Sequence, residues 1–287
     1  MSVSLPAAPP IPLGSLNPNL PPPLPSAPPK IWTDRAGATP DSKPKRYVAT
    51  FDEILQPTPD VRLFRLSLDG FNRAMPFIAG QFIQMICPVP DKTNPGKLKD
   101  IIRSYSVASA PEESHFLEFC IKLVMDGAFT PTLWDKRVGD KIDIRGPYGK
   151  FIVPTPVDHD LIFIAAGTGI APFWGMIQSL LLAGVKRDMT LLFGVRYEED
   201  LVYEKEFRDL AARHPNFKPV FTLSRPRRPD NWTGERGYVQ TLLSKHIKNP
   251  AATKAYICGL TPMIDASVAE LQKLGFTSDR IHYERYD

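Results

Sequence analysis

A short segment near the middle of the chain combines a cation, an aromatic ring and two small hydroxyls. Its sequence is Arg103-Ser104-Tyr105-Ser106, and the two-residue repeat of a β-strand puts Arg103 and Tyr105 on one side. A guanidinium suits a phosphate and a tyrosine ring suits a flat heterocycle, so the segment indicates a nucleotide-like ligand. A strand tyrosine that only packs in a core would leave the same pattern.

A second segment, Asp126–Pro131, is typical of a turn that leads into a helix at Thr130. Gly127, Phe129 and Thr130 are its candidate binding residues, because free amides at a helix start attract phosphate oxygens. Such a turn would contact a diphosphate from the side opposite Arg103. The alternative is that Thr130 only caps the helix.

A glycine turn, Gly167-Thr168-Gly169, follows the short aliphatic run Leu161–Ala166. Pro172 suits the first turn of a helix, so the region is predicted as strand, turn and helix. The backbone of such a turn can approach a phosphate closely, and the helix start favours the negative charge. A purely structural turn has the same sequence, since the G-x-G-x-x-G fingerprint of dinucleotide-binding folds is absent.

Basic residues follow two further aliphatic runs. Arg196 follows one, Ser224 and Arg225 follow the next, and Arg227 and Arg228 come shortly afterwards. Side chains with several donors at neighbouring strand ends suit a phosphorylated adenosine. A solvated basic loop is the alternative interpretation.

Two kinds of secondary structure are predicted to position these residues. Over residues 45–153, short strands separated by Gly, Pro and Asp turns predict a closed antiparallel Greek-key β-barrel. Over residues 154–287, aliphatic strands alternating with helical patterns predict a Rossmann-like parallel α/β domain. The predicted barrel strands are Val61–Leu68, Gln81–Ile86, Ser104–Ala108, Phe116–Val124 and Lys141–Ile144; the predicted parallel strands are Leu161–Ala166, Met189–Gly194, Lys218–Leu223 and Ala255–Cys258, with helices over Phe173–Ala183 and Met263–Leu274.

The carboxyl ends of the four parallel strands are expected to form one crevice, because ligands of such sheets bind outside these ends. The residues at these ends are Gly167–Gly169, Gly194–Arg196, Ser224–Arg225 and Cys258–Gly259.

Residues 1–44 differ in composition from the rest, since 11 of the 31 prolines lie among the first 30 residues. Prolines fix φ and remove backbone donors, so this segment is predicted to be a disordered, polyproline-like tail. It is either a spacer or a ligand for a proline-recognising partner.

Composition excludes several classes of function. A net charge of +4 gives no indication of nucleic-acid or membrane binding. Three cysteines are too few for an iron–sulfur cluster or a disulfide framework, and they favour a reducing, cytoplasmic compartment. The uncharged run Leu161–Val185 is long enough to span a membrane, but its glycine turn and Pro172 argue against a span. The five histidines lack metal-ligand spacing and no Gly-x-Ser-x-Gly occurs, so neither a metal site nor a hydrolase is predicted.

The motifs RSYS, DGAFTP, GPYGKF, GTGIAP, GVRYEEDLVY, TLSR, ICG and a final ERY together resemble the ferredoxin–NADP reductase superfamily of flavoenzymes, over about Tyr47 to Asp287. The resemblance implies a flavin, FAD rather than FMN, bound by Arg103, Ser104, Tyr105, Ser106, Gly127, Phe129 and Thr130. It also implies a nicotinamide dinucleotide bound by Gly167, Thr168, Gly169 and Pro172, with Cys258 and Gly259 beside the nicotinamide.

The same resemblance implies four catalytic residues. Ser106 would lie near the flavin N5, Glu284 would tune its surroundings, and Cys258 would be a small contact rather than a nucleophile. Tyr286 would cover the flavin until the nicotinamide displaces it. Asp287 follows this tyrosine, which departs from the Glu-x-Tyr ending of plant-type members and leaves the displacement open.

The nucleotide choice follows from residues near Arg196. Ser224-Arg225 followed by Tyr238 and Gln240 resembles the pattern that binds a 2′-phosphate, and no acidic residue ends that strand to bind a ribose hydroxyl. NADPH is therefore expected. NADH-using relatives also carry Ser-Arg-Pro at this place, so NADH stays open.

The resemblance implies hydride transfer from NAD(P)H to FAD and then single electrons to a separate ferredoxin, flavodoxin or oxygenase component. The chain lacks the four cysteines that would hold a cluster of its own. The alternatives are a nucleotide-binding electron-transfer or regulatory subunit without turnover, and a reductase that releases free flavin. The candidate docking residues for an acidic carrier are Arg73, Lys92, Lys97, Lys99 and Lys150, unless they are merely scattered surface cations.

Overall fold

The computed structural model describes residues 43–68, 75–91, 93–94, 96–112, 115–227 and 231–286. The predicted proline-rich tail up to residue 42 lies outside the described residues. The same holds for Arg73, Lys92, Arg228 and Asp287.

The first part of the chain forms an antiparallel six-stranded sheet in the order β4-β3-β6-β1-β2-β5. Most of its apolar side chains point to one face, where Phe51, Phe64, Ile83, Met85 and Phe119 are fully buried. The elements are β1 (Lys45–Thr58), β2 (Val61–Leu68), β3 (Phe82–Pro90), β4 (Leu98–Ser106), β5 (Leu117–Lys122), the short helix α1 (Thr130–Trp134) and β6 (Lys141–Tyr148).

The predicted antiparallel barrel is confirmed with one difference, because the sheet curls into a half-barrel instead of closing. Strands β4 and β5 are its two edges, and no ladder joins them within the described residues. Past the end of β4, the Ala108 amide donates to the Glu118 carbonyl at 2.7 Å, so the edges meet only at this end. The opening leaves β4 largely exposed up to Ser104.

The second part forms a parallel six-stranded sheet in the order β10-β9-β8-β7-β11-β12, which confirms the predicted Rossmann-like domain. Residues 161–185 divide into a strand, a turn over residues 167–170 and a helix. The elements are β7 (Asp160–Ala166), α2 (Ala171–Leu182), β8 (Met189–Val195), α3 (Glu204–Arg213), β9 (Phe217–Leu223), β10 (Glu235–Arg236), α4 (Leu243–His246), β11 (Thr253–Gly259), α5 (Thr261–Lys273) and β12 (Ile281–Arg285).

None of the described helices is long and apolar enough to cross a membrane.

Both faces of the parallel sheet are covered, because successive side chains of a strand point to opposite sides. In β7, Leu161, Phe163 and Ala165 pack in one cluster, while Ile162 and Ile164 pack in another. The first cluster also contains residues of the antiparallel domain and its linker, among them Val61, Leu63, Ala108, Cys120 and Phe151. The two domains therefore share one continuous apolar core.

Three strands were absent from the sequence-based prediction, namely β1, the two-residue β10 and β12. β1 begins the antiparallel sheet and pairs with both β2 and β6. β12 is the edge strand beside β11, and its burial alternates between buried or half-buried and exposed residues. Most residues of β12 are polar or charged, so no apolar run marks this strand in the sequence. The strand nevertheless carries Glu284.

Candidate functional site

A cleft of about 1330 Å³ lies between the two sheets. Its walls come from β4 and the loop before α1 on one side, and from the carboxyl ends of β7, β8, β9, β11 and β12 on the other. The predicted site residues that line it are Arg103, Ser104, Tyr105, Ser106, Gly127, Phe129, Thr130, Gly167, Thr168, Gly169, Arg196, Ser224, Arg225, Tyr238, Gln240, Gly259, Glu284 and Tyr286.

Two of the predicted residues do not line the cleft. Pro172 is buried in the first turn of α2. Cys258 is fully buried in the shared core, where burial raises the pKa of its thiol well above the ordinary value. The structure thus places the Cys258 side chain behind the wall that Gly259 forms.

Ser106 and Glu284 connect the two domains at the cleft. The Ser106 hydroxyl donates to Glu284 Oε1 at 2.8 Å. Burial raises the pKa of Glu284, and the Ser106 hydrogen bond partly opposes that rise by stabilising the carboxylate. Ser106 ends β4 and Glu284 lies in β12, so this contact depends on the packing of both sheets.

Tyr286 lies beside this pair. Its backbone amide donates to the Gly259 carbonyl at 3.0 Å, which ties the end of the described chain to β11. Its hydroxyl oxygen is buried close to the Ser106 and Cys258 side chains, but it forms no hydrogen bond of good geometry among the described residues. Burial, followed by the neighbouring Cys258 and Glu284, raises the pKa of this phenol well above its ordinary value.

Tyr105 and Phe129 form an aromatic wall. Their ring centroids are 5.8 Å apart at an angle of 38°, and burial raises the pKa of the Tyr105 phenol. Arg103 is exposed next to them, and its Nη1 donates to the Ile102 carbonyl at 2.9 Å. A flat ring and a cation therefore lie on the same strand at the cleft.

The loop before α1 is closed by Thr130. Its hydroxyl accepts from the Val124 amide at 2.9 Å and donates to the Val124 carbonyl at 3.1 Å. Gly127 allows this tight loop, since a β-carbon there would lie 3.0 Å from the Val124 carbonyl oxygen. The Thr130 side chain holds the loop, which leaves backbone groups to face the cleft.

The glycine turn after β7 has two different glycines. Gly167 has a φ of +55°, and a β-carbon there would point into open space. Gly169 allows a close approach, because a β-carbon there would lie 2.2 Å from the Cys258 carbonyl oxygen. One glycine thus leaves room at the cleft, and the other packs the turn against β11.

The basic residues at the strand ends have different partners. Arg227 contacts Glu199 at 3.1 Å and lies 4.3 Å from the centre of the Tyr197 ring. Arg196 and Arg225 line the cleft and form no ion pair within the part of the chain that the structure describes. These two guanidiniums are therefore available to a phosphate.

Tyr238 and Gln240 complete this end of the cleft. The Tyr238 ring is 60 % exposed, so one face can stack on a flat ligand. Gln240 Oε1 is buried without a hydrogen-bond partner among the described residues. An acceptor without a donor is costly to bury, so this oxygen suits a donor that a ligand supplies.

Sequence reasoning missed other residues that line the cleft, including Phe82, Asp200 and Leu260. Leu260 directly follows Gly259, so the rule that ligands bind at strand ends would have found it. Phe82 stacks on Tyr148 at 5.7 Å, and the Asp200 carboxylate accepts from the Tyr197 amide. Phe82 lies outside the motifs named above, and Asp200 lies within GVRYEEDLVY but was not among the predicted site residues.

Within the described ranges, no three His, Cys, Asp or Glu side chains are grouped as metal ligands.

The cleft fits a flavin and a dinucleotide. The unpaired guanidiniums of Arg196 and Arg225 suit phosphates, and Gly167 leaves the turn accessible. Tyr105 offers an aromatic surface in the same cleft that Tyr286 lines. These features are what a large, flat, phosphorylated ligand requires.

Comparison with known proteins agrees with this fit. Residues 49–152 match the family described as oxidoreductase FAD-binding domain, and residues 163–269 match the oxidoreductase NAD-binding domain. The chain is 34% identical over 242 residues to the phenol 2-monooxygenase reductase component DmpP of Pseudomonas sp. (strain CF600), covering 84% of this chain and 65% of that protein. It thus spans less than two thirds of that relative.

A second curated relative is ferredoxin–NADP reductase B of Sorangium cellulosum (strain So ce56), with 34% identity over 224 residues, 75% of this chain and 88% of the relative. Among solved structures, the Amycolatopsis cytochrome P450 reductase GcoB superposes with a TM-score of 0.74 at 27% identity, covering 84% of this chain and 70% of that one. The chain belongs to the ferredoxin–NADP reductase superfamily of oxidoreductases, with an FAD-binding domain followed by a domain that binds a pyridine nucleotide.

Proposed function

We propose that this chain is an NADPH-dependent reductase that delivers single electrons to a separate carrier protein. The observation that carries the proposal is the Ser106–Glu284 hydrogen bond, which joins the FAD-binding and NAD-binding domains inside their common cleft. When bound, FAD accepts a hydride from the nicotinamide and releases electrons one at a time.

The chain's own residues have four tasks in this function. Arg103 and the loop closed by Thr130 bind the flavin diphosphate, and Tyr105 packs on its ring system. Ser106 holds its proton toward Glu284, and the buried carboxylate keeps that hydroxyl oriented. These residues orient the flavin, and the turn from Gly167 to Gly169 binds the dinucleotide.

Tyr286 is the residue that moves. Its hydroxyl makes no hydrogen bond among the described residues, and the Tyr286 amide holds the backbone on Gly259. Turning the side chain away would therefore break only its close contacts with the Ser106 and Cys258 side chains. Cys258 lies fully buried behind the cleft wall, which suits a packing role.

NADPH is the proposed donor because Arg196 and Arg225 line the cleft without an ion pair within the described residues. A 2′-phosphate would supply the negative charge that they lack. For the acceptor, the named relatives include a monooxygenase reductase component and a ferredoxin–NADP reductase. A ferredoxin, flavodoxin or oxygenase component is therefore the proposed class of partner.

The test is an absorption spectrum of the purified chain before and after anaerobic NADPH. We expect a yellow protein whose released flavin is FAD and whose flavin absorbance is bleached by NADPH faster than by NADH. A colourless protein that takes up no riboflavin derivative contradicts the proposal. A protein that binds FAD and NADPH but reduces no dye would instead be an electron-transfer or regulatory subunit.

A further inference from the structure

A buried polar cluster crosses the domain boundary away from Ser106 and Glu284. Its centre is Glu118 on β5, which is only 2 % exposed. Arg65 Nε of the same domain donates to one carboxylate oxygen at 2.7 Å, and the Tyr203 hydroxyl of the other domain donates to the second at 2.8 Å. The Glu118 amide donates to the Ser109 hydroxyl at 3.0 Å. Both carboxylate oxygens are therefore satisfied, one from each domain.

A buried carboxylate needs such partners, since an unpaired one is strongly destabilising. Arg65 also contacts Glu53 at 2.6 Å and lies 4.7 Å from the centre of the Phe116 ring. Arg65 is thus held within its own domain. The Tyr203 hydroxyl is the group that extends this arrangement to the nucleotide-binding domain.

Tyr203 has an unusual backbone. Its φ is +63°, in the left-handed region, and it is the non-glycine residue for which the described chain shows a positive φ. Residues with a β-carbon avoid this conformation unless the surroundings hold them in it. The ring stacks on Trp174 of α2 at 5.0 Å and 15°, and this packing directs the hydroxyl toward Glu118.

Both partners are next to the cleft. Cys120, two residues after Glu118, lines the cleft, and so does Val202, which precedes Tyr203. A shift at the Tyr203–Glu118 contact therefore moves a wall on each side of the cleft. Close packing nearby transmits such a shift, because a β-carbon on Gly175 of α2 would lie 2.7 Å from the Ser109 carbonyl oxygen.

We propose that Tyr203 is a positioning residue, whose hydrogen bond to Glu118 sets the separation and angle of the two domains. This inference rests on the proposed reductase function, in which each domain holds one reactant. Transfer between two reactants is steep in distance, and a misplacement of about 1 Å can cost roughly 100-fold. Tyr203 acts on the reaction through the domain arrangement and not by contact with a reacting atom.

The test compares Tyr203→Phe with Tyr256→Phe. The first variant removes the hydroxyl and keeps the ring on Trp174. The second removes a hydroxyl that is also buried but has no hydrogen-bond partner among the described residues. Glu118→Gln is a further variant, because its amide oxygen can accept from Arg65 while its NH2 group donates to the Tyr203 hydroxyl, which keeps a weaker, uncharged contact between the domains.

Two measurements are made on flavin-loaded protein, namely hydride transfer by stopped flow and amide hydrogen exchange over residues 117–122 and 200–207. In Y203F we expect transfer about tenfold slower, the apparent Kd for NADPH from the concentration dependence of the stopped-flow rate within about twofold, and faster exchange in both segments. E118Q should change in the same direction by less, and Y256F should match the wild type.

The positioning role is overturned if Y203F and Y256F have equal rates of amide hydrogen exchange or equal rates of hydride transfer. Failure of the proposed function has a different signature, since the wild type would then take no flavin or accept no hydride. In that case, amide hydrogen exchange of Y203F and Y256F is compared without flavin. Equal exchange rates in the two variants would overturn the role of the Tyr203–Glu118 contact between the domains.

Discussion

Ser106 and Glu284 are 178 positions apart in the chain, yet the Ser106 hydroxyl donates to Glu284 Oε1 at 2.8 Å. Each residue comes from a different domain and from a different kind of sheet. The contact exists only when both domains are folded and docked. It therefore reports on the assembled cleft more directly than any motif does.

Removing the Ser106 hydroxyl should slow flavin reduction. We expect Ser106→Ala to reduce the stopped-flow rate with NADPH by about 100-fold, because Glu284 loses the hydroxyl that fixes its carboxylate and a misplacement of about 1 Å at a reacting centre can cost that much. Ser267→Ala is the matched control, because this serine is also fully buried and its hydroxyl bonds only to the Met263 sulfur among the contacts described. An unchanged rate in S106A would remove Ser106 from the mechanism.

Glu284 should give the protein a pH-dependent stability. Burial raises its folded-state pKa above the ordinary value of 4.5, so the folded protein binds this proton more tightly than the unfolded chain. Its contribution to stability is therefore largest below pH 4.5 and declines as pH rises through the raised pKa.

Glu284→Gln tests this sign, since the amide cannot titrate and still accepts from Ser106. We expect the free energy of unfolding of E284Q to exceed that of the wild type at pH values above the raised pKa of Glu284, and by less at pH 4. Denaturant titrations at several pH values measure the difference. The control is E270Q, at a partly exposed carboxylate on α5; a difference that does not vary with pH would contradict the assignment.

Arg225 should distinguish the two nicotinamide cofactors. We expect Arg225→Ala to lose a charged hydrogen bond of about 2 kcal/mol, which raises KM for NADPH roughly 30-fold and leaves KM for NADH nearly unchanged. Arg227→Ala provides the control, because Arg227 is engaged by Glu199 and Tyr197. Equal effects of R225A on both cofactors would argue against a 2′-phosphate site.

Gly169 should resist substitution for reasons of packing. A β-carbon at this position would lie 2.2 Å from the Cys258 carbonyl oxygen, so Gly169→Ala must push the turn away from β11. We expect a loss of about 1–3 kcal/mol in unfolding free energy by denaturant titration. Gly184→Ala is the control, because its β-carbon would point into open space and only the positive φ of Gly184 would disfavour alanine. A loss of unfolding free energy in G169A no larger than in G184A would contradict the packing argument.

Local patterns were sufficient for much of the fold. A short strand-like run between turn residues predicted Val61–Leu68 with the same bounds as β2, and the aliphatic run before Gly167 predicted β7 within one residue. β12 escaped prediction because Ile281–Arg285 is mostly polar or charged and gains its order by pairing with β11. The half-barrel could not be told from a closed barrel, since closure depends on how far apart the edge strands β4 and β5 lie.

The candidate site divides in the same way. Glycines, arginines and hydroxyls at strand ends are local signals, because a turn or a phosphate contact needs particular residue types within a few positions. Other features of the site depend on side chains that are far apart in the chain. They are the choice of arginines that form no ion pair, the burial of Cys258 behind the cleft wall and the hydrogen bond from Tyr203 to Glu118. The packing of the two domains decides these contacts, because hydrogen bonds and burial depend on distances in space. The spacing of residues along the chain does not give those distances.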